Sequence, residues 1–125
     1  MQSTKNKQSA TDFLELVIAG QIDHAYEKYV DMSGKHHNTF TPPGFLALRE
    51  GMKDAHVKFP NKEFSIQHVV GEDELVAVHS HLILEKNKTD LAVLHLFRFK
   101  AEKIAELWDL SQALSADSPN KDGAF

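Results

Sequence analysis

The chain has 125 residues, 42% of them apolar and 26% charged, with no cysteine and a formal charge of −4. That length builds one domain with one core. The acidic balance argues against a nucleic-acid surface, no apolar run approaches the about 20 residues of a membrane span, and the lack of cysteine excludes disulfides, thiol nucleophiles and thiolate metal sites. The start, Met1 to Ala10, is polar and has no signal-peptide core, so a cytoplasmic location is expected.

Residues 1–10 read as a flexible N-terminus and residues 11–125 as a single domain. Phe13, Leu16 and Val17 recur at helical spacing, with Gly20 as terminator. A short amphipathic stretch follows from Ile22 to about Val30. Asp31 to Thr41 reads as an irregular polar segment. Thr41-Pro42 reads as a helix start with a threonine cap, because Phe45, Leu48, Met52, Ala55 and Phe59 then recur in steps of three and four. From Phe64 the period is two. Four strands are predicted, near Phe64–Val70, Leu75–Leu84, Leu91–Phe99 and Ile104–Gln112, joined by hairpin-length links at Gly71–Glu74 and Glu85–Asp90. Helices first and strands last make an antiparallel α+β domain. Both faces of the Leu75–Leu84 strand carry aliphatic residues. One face covers the helices, and a homodimer packed sheet to sheet is the simplest cover for the other.

Eight histidines are the compositional oddity. His79 and His81 lie two apart in a strand and share a face. With His95 or His68 they have the spacing of a β-built metal site, but an HxH pair without a carboxylate close in sequence is a weak metal signal. Hydrogen-bonded histidines in a semi-polar cavity or interface are expected instead, with no metal and no cofactor. His95, between Leu94 and Leu96, is either a satisfied core residue or an acid–base group on a cavity wall. His36-His37-Asn38 reads as a turn or as a pocket rim. In the last strand, Trp108 shares a face with Glu106, Leu110 and Gln112, and Asp109 lies on the other. Burial would raise a carboxyl there and suit it to proton transfer.

The pieces "HHN", "VAVHSH", "AVLHLFRF", "KIAELWDLSQ" and "SPNKDGAF" occur in that order from about Phe13 to the end of the chain. In them the chain resembles the SnoaL-like polyketide cyclase group of the nuclear-transport-factor-2-like superfamily, in particular its bacterial branch of predicted aldol-condensation-catalysing proteins. The resemblance implies a single SnoaL-like domain: a cone in which a strongly curved antiparallel sheet wraps N-terminal helices around a pocket. It also implies a dimer through the sheet. By that likeness the chain binds a small hydrophobic or carbonyl-containing molecule and does cofactor-free acid–base chemistry on it, as an aldol cyclase, lyase or isomerase. His37 and Asp109 are the candidate catalytic residues. Asn38, His79, His81, His95, Trp108 and Gln112 are the candidate pocket lining. The chain departs from the group's pattern at Gln112, an amide where the cyclases carry their acid–base aspartate. It departs also at Leu107, where the branch usually has histidine, at Thr39, where it has proline, and in "KAEK", where the last hairpin lacks its glycine. The alternative is a non-catalytic hydrophobic-ligand-binding or dimeric interaction domain.

Overall fold

The structure, a computed structural model, describes residues 2–86 and 88–125; Met1 and Asn87, which fall in the expected flexible N-terminus and polar connection, lie outside the described residues. Three helices, α1 (Gln2–Ile18), α2 (Ile22–Tyr29) and α3 (Phe45–Lys58), and five strands, β1 (Val30–His36), β2 (Glu63–Glu72), β3 (Leu75–Glu85), β4 (Thr89–Lys100) and β5 (Lys103–Ala113), make an α+β domain. The strands form one sheet in the order β1-β5-β4-β3-β2. The pairings β2–β3, β3–β4 and β4–β5 are antiparallel. Irregularities between Ile66 and His68, between Ile83 and Glu85, and between Arg98 and Phe99 interrupt the three ladders, and such bulges bend a sheet.

Three expectations change at the N-terminal side. The first ten residues are not frayed: α1 begins at Gln2, and Asn6 and Ala10 continue the buried stripe of Phe13 and Leu14 back by one and two turns. Asn6 is tolerated on that stripe because its Oδ1 accepts a hydrogen bond from Gln2 Nε2 at 2.9 Å. The polar segment after α2 is not irregular either. Its first part is β1, which pairs parallel with β5, so the sheet is mixed. Gly34 permits that pairing, since a Cβ there would stand 2.2 Å from the Ala105 carbonyl oxygen. Nor does Thr41 cap α3. The helix starts at Phe45 behind Gly44, whose φ of 95° only glycine adopts without strain.

The core lies between the helices and one sheet face. Phe13, Tyr26, Phe45 and Phe97 are fully buried. Phe13 meets Tyr26 and Phe97 edge-on, with ring centroids 5.4 and 5.9 Å apart, and Tyr26 meets Phe45 at 6.3 Å. Edge-to-face pairs add to what burial of the rings contributes. Removing one such ring costs about 3–5 kcal/mol. At the far hairpin Ala101 and Glu102 both have positive φ, 50° and 68°. The turn therefore keeps the hairpin geometry without the glycine that makes it inexpensive.

Candidate functional site

Register divides the expected site residues between the two sheet faces. On the inner face, Val76, Phe97 and Leu107 form one row across β3, β4 and β5, and Val78, His95 and Asp109 form the next. The following row runs Ile66, Ser80, Val93, Ser111, and the one after it Phe64, Leu82, Leu91. The first of these rows is sealed, whereas Phe64, Leu82 and Leu91 are only half-buried. The inner face thus passes from a solid aromatic core, through a polar row, to an open apolar end.

Asp109 is held in the polar row by the HHN loop. His36 is buried; one ring nitrogen, Nε2, lies 2.9 Å from the Pro42 carbonyl oxygen, and Nδ1 accepts from the Asn38 N–H at 3.1 Å. A carbonyl only accepts, so the His36 proton is on Nε2. Asn38 Oδ1 accepts from the Phe40 N–H at 2.9 Å and the Thr41 hydroxyl at 2.7 Å. This fixes the amide with its NH2 toward Asp109, donating to Oδ1 at 3.2 Å and Oδ2 at 3.0 Å. Thr41 and the backbone at Phe40 therefore orient an amide, and the amide orients a carboxylate.

Across from Asp109 stands His95. Burial drives its pKa down from 6.5 to about 4, against the opposing pull of the Asp109 charge. The ring is a neutral imidazole at physiological pH, able to donate one hydrogen bond and accept another. Among the described residues, His95 Nδ1, Ser80 Oγ and Arg49 Nε are closed off from solvent without a hydrogen-bond partner. Tyr26, beneath the site, donates its hydroxyl to Met52 Sδ at 3.2 Å. Burial pushes its pKa far up; the Arg49 charge opposes this and the Asp109 charge adds to it, so it stays a phenol.

The other expected residues stand on the outer face. Trp108 pairs with Leu96, and His37 stacks on the indole at 5.0 Å with the rings 12° apart. His37 Nε2 is 2.6 Å from Glu106 Oε2, whose Oε1 accepts from Arg98 Nε at 3.1 Å. The His37 hydrogen bond, helped by Arg98, holds the Glu106 carboxyl below its usual range. His79 and Gln112 border a shallow depression of about 210 Å³ with Leu94 and Leu110. His81 bonds Asp90, and the Phe125 ring lies 5.4 Å from His79 and 4.6 Å from His81.

The grouping of His37 with Asp109 is therefore corrected: the two lie on opposite faces of the sheet. So is the placing of His79, His81, Trp108 and Gln112 in one hollow with His95. Of the expected set, the structure gathers only Asn38, His95 and Asp109 on the inner face. Strict alternation already separated Asp109 from Trp108; what sequence could not supply was which side faced the helices. Ser80, alone among Val76, Val78 and Leu82, was the one local sign of polarity on the inner side. Tyr26, Arg49 and Glu106 carried no such sign.

Two helices, a strand, a third helix and four further strands, the strands joined in one mixed sheet, give the NTF-2 like fold. Residues 10–107 match the model of the SnoaL-like domain family, and the chain belongs to that family. Solved structures share the fold at low identity. An NTF-2 like protein of unknown function from Burkholderia xenovorans LB400 superposes with a TM-score of 0.76 at 14% identity, covering 95% of this chain and 91% of that one. A candidate SnoaL-like polyketide cyclase from Jannaschia sp. CCS1 gives 0.72 at 14%, covering 87% and 86%. A candidate ketosteroid isomerase from Kribbella flavida DSM 17836 gives 0.73 at 9%, covering 98% and 88%. A search of curated proteins finds no match to the sequence. Among the described residues, no helix is long and apolar enough to cross a membrane.

Proposed function

We propose that this domain binds a small carbonyl compound at the open end of the inner face and moves a proton on the carbon next to the carbonyl, with Asp109 as the base. The observation that carries the reading is the Asp109 carboxylate, held through both oxygens by Asn38 and facing a neutral His95. Paired residues on adjacent strands stand about 5 Å apart at Cβ, close enough for both to address one small ligand. Asp109 takes the proton, the electron pair moves onto the carbonyl oxygen, and the imidazole N–H of His95 donates to the enolate. Returning the proton to another carbon gives an isomerase; attack of the enolate on a second carbonyl gives an aldol cyclase. The half-buried Phe64, Leu82 and Leu91 supply an apolar wall for the rest of the ligand.

Deuterium wash-in at the α-carbon of small ketones and β-keto esters, followed by NMR, tests this. The wild type is expected to exchange faster than Asp109→Asn, with both proteins equally folded by circular dichroism. Equal rates would overturn the role of Asp109. The same apolar wall also favours a second reading, a non-catalytic domain for hydrophobic ligands. That reading requires ligand-dependent stabilisation with no exchange above the Asp109→Asn level.

The outer face bears on the oligomeric state. Val70, Leu94 and Leu110 are exposed there beside Trp108, which supports a homodimer packed sheet to sheet. Light scattering at micromolar protein is expected to give twice the chain mass, and a monomer would contradict the packing.

A further inference from the structure

The inner face of β3 is aliphatic at Val76, Val78 and Leu82 and polar at Ser80. Ser80 is 0% exposed, and its Oγ has no hydrogen-bond partner among the described residues. A buried hydroxyl left without a partner costs stability that alanine at the same place would not. Ser80 stands in the row of Ile66 and Val93, between the half-buried Phe64, Leu82 and Leu91 of the open end and the row of His95 and Asp109. A ligand that enters at the open end and reaches Asp109 parts those half-buried side chains and lies across Ser80. His95 pairs with Val78, so Ser80 is its diagonal neighbour on the adjacent strand, about 7–8 Å away at the backbone. Two oxygens of one small molecule, several bonds apart, can meet the two side chains together.

We propose that Ser80 is a specificity-determining residue, whose hydroxyl donates a hydrogen bond to a second oxygen of the ligand while the carbonyl oxygen accepts from His95. That role rests on the reading of Asp109 and His95 given above and narrows the ligand to hydroxy ketones and diketones. Around Ser80 the wall is apolar: Ile66, Leu82 and Val93 offer no donor or acceptor side chain, and Ser111, the fourth member of the row, is exposed. A second oxygen placed there has Ser80 as its side-chain partner. The Ser80 hydroxyl is already out of water in the free protein, so a hydrogen bond to the ligand is not offset by stripping water from the protein side. A ligand without the second oxygen leaves the hydroxyl unpaired, and sites of that kind reject such analogues.

The test compares cyclohexanone with 4-hydroxycyclohexanone and 1,4-cyclohexanedione, which carry a second oxygen on the same ring, in NMR titrations of the isotope-labelled protein. The wild type is expected to bind at least one of the oxygenated ketones about tenfold more tightly than cyclohexanone. Which of them is favoured shows whether Ser80 meets a hydroxyl or a carbonyl. In Ser80→Ala the ratio should fall near one, and Ser80→Cys, close in size but a weak donor, should lose most of the preference as well. Ser80→Ala should also melt at or above the wild-type temperature, since it removes an unpartnered hydroxyl. Equal binding of the three ketones by the wild type, a preference that survives in Ser80→Ala, or a lower melting temperature in that variant would overturn the role. Equal deuterium exchange in wild type and Asp109→Asn, alongside a preference that depends on Ser80, would overturn Asp109 alone. No binding of any of the three ketones would overturn both.

Discussion

Lowering the pH from 7 to 5 should destabilise the fold through His95. The unfolded chain takes up a proton on this histidine near 6.5, the folded chain only near about 4. Between those values the unfolded state holds more protons, so acid favours unfolding. Stability is complete above pH 6.5 and is lost as the pH falls toward 4. At pH 5 the unfolded imidazole is almost fully charged and the folded one about one-tenth charged, a difference of about 2 kcal/mol relative to pH 7. His95→Phe removes the titrating group, and the neighbouring Phe97 shows that the inner face accepts such a ring. Urea unfolding at pH 7, 6 and 5 is the assay, since the midpoint reads stability at constant slope. The wild type is expected to lose about 2 kcal/mol more than His95→Phe over that range. Parallel pH profiles for the two proteins would refute a neutral, desolvated imidazole at this position.

Gly34→Ala should be strongly destabilising, by about 3 kcal/mol or more, because the new Cβ would meet the Ala105 carbonyl at 2.2 Å and part β1 from β5. Thermal unfolding reads this directly, and an unchanged midpoint would show that the strands are not in that register. Asn38→Ala deletes both amide contacts to Asp109 and the acceptor for Phe40 and Thr41. The cost is about 2 kcal/mol of stability. Deuterium exchange by Asn38→Ala should fall toward the Asp109→Asn level, while Asn38→Asp, which keeps the acceptor but repels the carboxylate, should retain the loop and still exchange slowly.

Much of the architecture is local chemistry and could be read from the chain. Phe45, Leu48 and Met52 recur at helical spacing and form the α3 stripe; from Phe64 onward the period of two lays out four strands close to their observed bounds. Two elements were not legible for reasons that are not local. The β1 residues "VDMSGKH" offer only Val30 and Met32 as an apolar alternation, and their extended form depends on a parallel partner far along the chain and on the absence of a Cβ at Gly34. The first turns of α1 are polar, and they are helical as an extension of a helix docked on β2 and β3.

The candidate site divides the same way. Sequence alone determined that Asp109 and Trp108 lie on opposite faces of one strand, that His79 and His81 share a face, and that the HHN segment carries donors and acceptors, because side-chain alternation is a property of the extended backbone itself. Only the tertiary structure decided which face meets the helices. It brought His95 and Asp109 inside, left Trp108 and His37 outside, and through one inserted residue at Gln67 carried His68 across to His79. Alternation is a relative rule with no sign of its own; the sign comes from where the helices pack and where a bulge resets the count.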